Sequence, residues 1–305
     1  MRYNSPIRFY EYCGVAVKYP AEVNPSRIKK QISAEFALST DGIISVDGHD
    51  YNKNDVLQDF DAPDWFSNLQ FHQIIWDHKG LLKCLEDDAI SMVEASQQWF
   101  KLSKDPAFVK FVSPYFAVSF HNVMKMALSF PNFEDARWWL AFLAFVTPDH
   151  YEQALQSTRV YLEDILRVFK NVNSSTYHFK LSEIVPWTKQ HWQHFINDLP
   201  DDLFYFKEDL AATLVNFTCE IQNADLHMAY MVSIRLSQLT GLSSDLSRIV
   251  ADNHAVFSQR YDRSMGNDRY EASSSKGGSS TIGTVFRVIF VVFICIRLLL
   301  FCARH

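Results

Sequence analysis

Between Ile282 and Ala303 the chain carries 22 residues of which fifteen are Leu, Ile, Phe or Val. As a helix rising about 1.5 Å per residue, such a segment reaches about 33 Å, enough for a hydrocarbon core of about 30 Å. Two charges interrupt it, Arg287 and Arg297. Each costs about 2.5–3.5 kcal/mol at the centre of a bilayer, whereas fifteen strongly apolar residues together return about 7 kcal/mol. Both arginines are off-centre and can extend toward the nearer interface, which lowers their cost. The segment therefore predicts one transmembrane helix. A buried helix of a soluble domain would have to hide two guanidinium groups. An amphipathic helix lying in the interface fits the arginines, about 80° apart around the axis, but apolar residues surround them on every face and favour spanning.

The residues before this segment are of opposite character. Met265-Gly266-Asn267-Asp268 and Ser273 to Ser280 hold almost nothing that can be buried, so 263–281 is expected to be a flexible Ser/Gly-rich linker. Arg263, Arg269 and Lys276 precede the apolar stretch, and an excess of basic residues marks the cytoplasmic side of a span. With Arg304 and His305 after it, the segment is expected to insert after translation as a single-pass tail anchor, leaving the domain in the cytoplasm.

The remaining chain has the composition of a packed helical domain. Apolar residues make up 48% and aromatics 15%, with only nine glycines among 305 residues. That balance suits helices around an aromatic core. From residue 64 the apolar residues recur at helical spacing. One stripe is Leu155, Leu162, Ile165, Leu166 and Phe169. A second is Leu203, Phe206, Leu210, Leu214, Phe217 and Ile221, and a third is Leu226, Ala229, Tyr230 and Leu236. Trp138 to Val146 is wholly apolar and predicts the most deeply buried helix. Residues 64–262 form the expected helical domain.

Residues 1–63 carry the β signals and predict a small α+β region. Gly14 to Tyr19 reads as a strand, and Ile32 to Leu38 and Ile43 to Val46 read as two further β runs punctuated by Asp41-Gly42 and Asp47-Gly48. Asn54 is the expected cap of the next helix, and Pro63-Asp64 opens the one after it. The fold expected is thus mainly α, with a small N-terminal antiparallel β element, a multi-helix bundle and one C-terminal transmembrane helix.

The chemistry is narrowed mostly by exclusion. Phosphate-binding and catalytic signatures of the GxxxxGK[ST], GxGxxG, HExxH and GxSxG types do not occur, so no cofactor is expected. The net charge of −6 and the short Arg27 to Lys30 basic cluster argue against nucleic acid as a main partner. Five cysteines at wide spacing, with no CxxC, read as reduced thiols. His191 and His194, three residues apart, are metal-ligand candidates, with Glu183 and Asp198 the nearest carboxylates. Asp87-Asp88 and Asp201-Asp202 read as acidic helix starts.

Arg248-Ile249-Val250-Ala251-Asp252-Asn253-His254 resembles the Arg-x(4–6)-His pattern of the HEPN ribonucleases, helical domains whose dimers cleave RNA without a metal. The resemblance implies that Arg248 would hold the phosphate and His254 would assist proton transfer. Ile249 stands where that family commonly has a polar residue, and six residues of straight helix set the two side chains about 120° apart. Three function classes follow. The first is a membrane-tethered interaction or regulatory module, self-associating or bound to a protein partner because intramembrane arginines usually find partners. The second is a membrane-perturbing effector with a pathway lined by Arg287 and Arg297, and the third is the ribonuclease.

Overall fold

A computed structural model describes residues 2–15, 24–88, 97–189 and 192–270. The chain enters α1 (Pro6–Tyr12) through a proline in its first turn and leaves it at Gly14, whose φ of +70° reverses the backbone. Of the run read as a strand from Gly14 to Tyr19, residues 16–19 lie outside the described residues. Asn24 then caps α2 (Pro25–Leu38) by accepting the Arg27 N–H, with Pro25 preset for the first turn. The expected strand Ile32 to Leu38 is therefore helix. Ile28, Ile32 and Phe36 recur every four residues and are all buried, and this period of burial overrides the β-propensity of the individual side chains.

The sheet is a two-stranded antiparallel hairpin, β1 (Ile43–Val46) and β2 (His49–Asn52), in the register Ile43 to Asn52 and Val46 to His49. Asp47 and Gly48 both take positive φ, at 51° and 82°, the requirement of a tight turn whose twist matches the strands. So Asp47-Gly48 closes the hairpin, whereas Asp41-Gly42 joins a helix to a strand. Asn52, not Asn54, caps α3 (Lys53–Asp61), accepting the Asn54 N–H. α4 (Trp65–Asp77) follows directly from Asp64. Ile7, Phe9, Ile32, Phe36, Tyr51, Phe60, Trp65 and Leu69 bury into one cluster.

α5 (Lys79–Asp87) ends at Asp88, which takes a left-handed φ of 51°. Asp87-Asp88 thus terminates a helix where a helix start was expected. After α6 (Gln97–Leu102) comes α7 (Pro106–Ser129), capped by Asp105 and carrying Pro114 inside it. α8 (Phe133–Leu140) does not continue through Val146. It tightens into a 3-10 turn over Ala141–Phe145, and Ala141 and Ala144 face solvent while Phe142 and Phe145 are buried. The expected single buried helix from Trp138 is therefore two elements with one buried side. α9 (Tyr151–Asn171) buries every residue of its expected stripe against α7 and α12 (Phe204–Ile221). Asp201 and Asp202 open the short 3-10 turn ahead of α12. α13 (Leu226–Leu236) buries Met228, Ala229, Val232 and Leu236, with Leu226 and Tyr230 only half-buried.

After α9 come two 3-10 turns, Tyr177–Lys180 and Val185–Thr188, flanking the short α10 (Leu181–Ile184), and then α11 (Trp192–Asn197). The last described helix, α14, is Ser244–Tyr270; it covers the first part of the range read as linker, and 271–281 lie outside the described residues. Residues to Phe257 form one compact unit, and those from Ser258 belong to a second. The protein is mainly helical, with one small antiparallel sheet near its N-terminus.

One ion pair ties the N-terminal elements to α5. Arg8 Nη1 and Nη2 donate to Glu86 Oε1 and Oε2 at 2.8 and 2.6 Å, and the Ser5 N–H donates to the same Oε1 at 2.8 Å. Tyr51 closes the group, its hydroxyl donating to the Ser5 carbonyl at 2.8 Å. Glu86 is 4% exposed, and its hydrogen bonds raise the Arg8 pKa above the usual range. Removing one partner strands a buried charge, so Glu86→Ala should cost about 3–5 kcal/mol. Arg8→Met with Glu86→Leu should cost less than that single change. Chemical denaturation of the three variants checks this ordering.

Nearby, the Tyr3 hydroxyl is 2.9 Å from His72 Nδ1, and the imidazole packs against Phe111 at 4.9 Å between ring centres. Burial lowers the His72 pKa from 6.5 to about 3. Between those values the unfolded chain binds a proton that the native state refuses, so stability falls as the pH drops. The slope is at most about 1.4 kcal/mol per pH unit, reduced by the partial exposure of the residue as a whole. Thermal melts from pH 7 to pH 4 should show the wild type losing stability faster than His72→Phe.

Candidate functional site

The Arg248 and His254 candidates share α14, but the helix turns them to different surroundings. Arg248 is exposed, its Nη2 3.7 Å from Asp245 Oδ1 one turn earlier. His254 is half-buried, with Nδ1 3.1 Å from Ser233 Oγ on α13 and its ring stacked on Tyr230. Burial lowers its pKa below 6.5, which favours a neutral imidazole. The contacts of the two side chains within this chain are with different groups, and an uninterrupted α-helix over six residues imposes that divergence.

The histidine pair fares differently. His191 lies outside the described residues, and His194 is exposed on α11. The neighbouring carboxylates are engaged elsewhere: Glu183 accepts from Lys180 at 2.7 Å and Asp198 from Arg137 at 2.6 Å. Among the described residues no group of three or more His, Cys, Asp or Glu is placed to hold a metal ion. Arg287, Arg297 and the whole apolar segment 282–303 fall outside the described residues; within them, no helix is long and apolar enough to cross a membrane.

Two polar groups that no local motif announces join distant helices. Ser157 Oγ on α9 is 2.7 Å from His121 Nδ1 on α7 and donates to the His121 carbonyl at 2.8 Å. Asp88, held by Arg2 and Asn122 at 3.0 Å each, adds a carboxylate whose charge reaches His121. The residue types are those of a hydrolytic triad, but the hydroxyl hydrogen is committed to a backbone carbonyl. Ser157 also sits mid-helix, where the backbone N–H groups are already bonded and offer no oxyanion donors. The group is a fastening between α7 and α9. Ser113, fully buried on α7, works in the same way: its Oγ accepts the Thr147 N–H at 2.8 Å and lies 3.2 Å from His150 Nδ1, fixing the turn that starts α9.

The surface holds a different kind of feature. In the segment between α9 and α11, Ile184 and Trp187 are fully buried, and Trp187 packs on Phe133, Phe169 and Trp192. Phe179 is 77% exposed, and Leu181 and Val185 are 37% and 41% exposed. A rigid footing beneath outward apolar side chains is the arrangement of a contact surface. Its spacing follows 3-10 and short α turns, so the helical-period reading that found the large stripes could not register it.

Set against known protein families, curated proteins and solved structures, the chain matches none. Function has to be argued from the chain's own residues. Ser157→Ala removes the tie to His121 and should cost about 0.5–1.5 kcal/mol, the net contribution of a partly buried hydrogen bond. Arg248→Ala, at an exposed position, should change stability by less than about 0.5 kcal/mol. Urea unfolding monitored by circular dichroism measures both.

Proposed function

We propose that the chain is a membrane-tethered interaction or regulatory module, a helical domain held at the cytoplasmic face of a bilayer by residues 282–303 and self-associating through that segment. The observation that carries this reading is the abrupt change from a Ser/Gly-rich stretch to 22 residues of which fifteen are Leu, Ile, Phe or Val. Such a run removes a large apolar area from water only by entering lipid or a partner of equal apolarity. The compact unit ending at Phe257 supports the division of labour, because among the described residues it holds an extensive core of its own. Arg263, Arg269 and Lys276 support a cytoplasmic orientation.

Arg287 and Arg297 support self-association, since guanidinium groups within a bilayer gain most by pairing or by facing a polar interior. They also carry the second reading, a membrane-perturbing effector in which assembled segments line a polar pathway. The two readings separate on the same variants. Deleting 282–305 should turn a carbonate-resistant membrane protein into a soluble one that keeps its helical circular dichroism. Replacing Arg287 and Arg297 by leucine should ease insertion by a few kcal/mol and weaken cross-linking between copies. Loss of dye leakage from vesicles in that double variant, with insertion intact, would favour the effector. A truncated chain that aggregates would sink the tether.

A further inference from the structure

The outward face of the segment 173–189 combines exposed apolar side chains with an excess of basic residues. Lys170, Lys180 and Lys189 are all exposed in the same stretch of chain as Phe179, Leu181 and Val185, with Lys180 paired to Glu183 at 2.7 Å. Over residues 170–189, three lysines stand against the single acid Glu183, a net of +2 in a chain whose total is −6. The exposed His178 ring adds to the face, tilted against Phe179 with the ring centres 4.0 Å apart. Phe130, 87% exposed, lies in a stretch whose charges balance, Lys125 and Arg137 against Glu134 and Asp135. The face at Phe179 combines the two features that hold a protein on an anionic bilayer, apolar side chains that enter the headgroup boundary and lysines that meet the negative surface potential.

We propose that Phe179, Leu181 and Val185, flanked by Lys170, Lys180 and Lys189, form a second membrane contact that lays the domain on anionic lipid headgroups, a proposal that rests on the tethered reading above. Leu181 and Val185 are both exposed, on either side of the junction between α10 and the 3-10 turn that follows it. The buried Ile184 and Trp187 hold that stretch in place, which limits the ordering entropy lost on contact.

The test uses the full chain reconstituted into vesicles of phosphatidylcholine alone or of phosphatidylcholine with phosphatidylserine. Hydrogen exchange of 173–189 and carbonate extraction are read on each sample. The expected result is roughly tenfold slower exchange in this segment on the anionic vesicles alone, lost in Phe179→Ser with Lys180→Glu while carbonate resistance stays. Both positions are exposed, so the double variant leaves the core untouched. Equal exchange on both vesicles in a carbonate-resistant protein would overturn the lipid face and leave the tether standing. Slowing that appears on both vesicles and grows with protein concentration would assign the face to a second copy and likewise overturn it. If carbonate strips the protein from both vesicles, the tether fails, while slowing confined to the anionic sample before the wash still upholds the lipid face.

Discussion

The buried pair of Arg8 and Glu86 is the constraint around which the N-terminal third is arranged. A guanidinium can leave water only against a carboxylate in a matching fork geometry, and Glu86 can supply that fork only if α5 ends where it does. The Ser5 N–H donates to Glu86, and the Tyr51 hydroxyl accepts from Arg8 Nη1 at 3.4 Å and donates to the Ser5 carbonyl. The chain before α1, the hairpin and α5 must therefore form together, since each provides one member of a group that is costly when incomplete. Small helices such as α1, with seven residues, are too short to be stable alone; the ion pair gives this one a fixed place.

The larger helices were legible because their burial repeats with the period of the helix. α9 and α12 bury the residues their stripes named, and no competing signal disturbs them. Residues 32–38 misled because Ile32, Phe36 and Leu38 also suit a strand, and the deciding partner in the pattern, Ile28, sits four residues upstream behind the cap at Asn24. Asp-Gly steps likewise announce a reversal without saying what it joins, so Asp41-Gly42 and Asp47-Gly48 look alike in sequence and differ in role.

The polar links were not legible at all. Arg8 and Glu86 are separated by 78 positions, and His121 and Ser157 by 36; nothing local to either member marks it. The Arg248 and His254 pattern is the opposite case, a local signal whose two side chains, six apart on an unbroken helix, have different neighbours within this chain. The exposed face at Phe179 escaped notice because its spacing belongs to turns of mixed pitch, where a single helical period does not apply.

The tightened turn after α8 has a consequence for the core on its other side. In a 3-10 turn residues three apart eclipse, whereas in an α-helix they diverge by about 60°. Trp139, Phe142 and Phe145 are spaced by threes and all buried, and the Phe142 and Phe145 rings lie within 14° of parallel. The change of pitch thus acts as a phase setting that swings Phe145 into register with Phe108 and Phe116 of α7, at 6.3 and 5.0 Å between ring centres. Relaxing those five residues to α-helical pitch would rotate Phe145 away from both rings while leaving Trp139 where it is, so the alignment of α7 with α8 is encoded in how tightly one short stretch of backbone is wound.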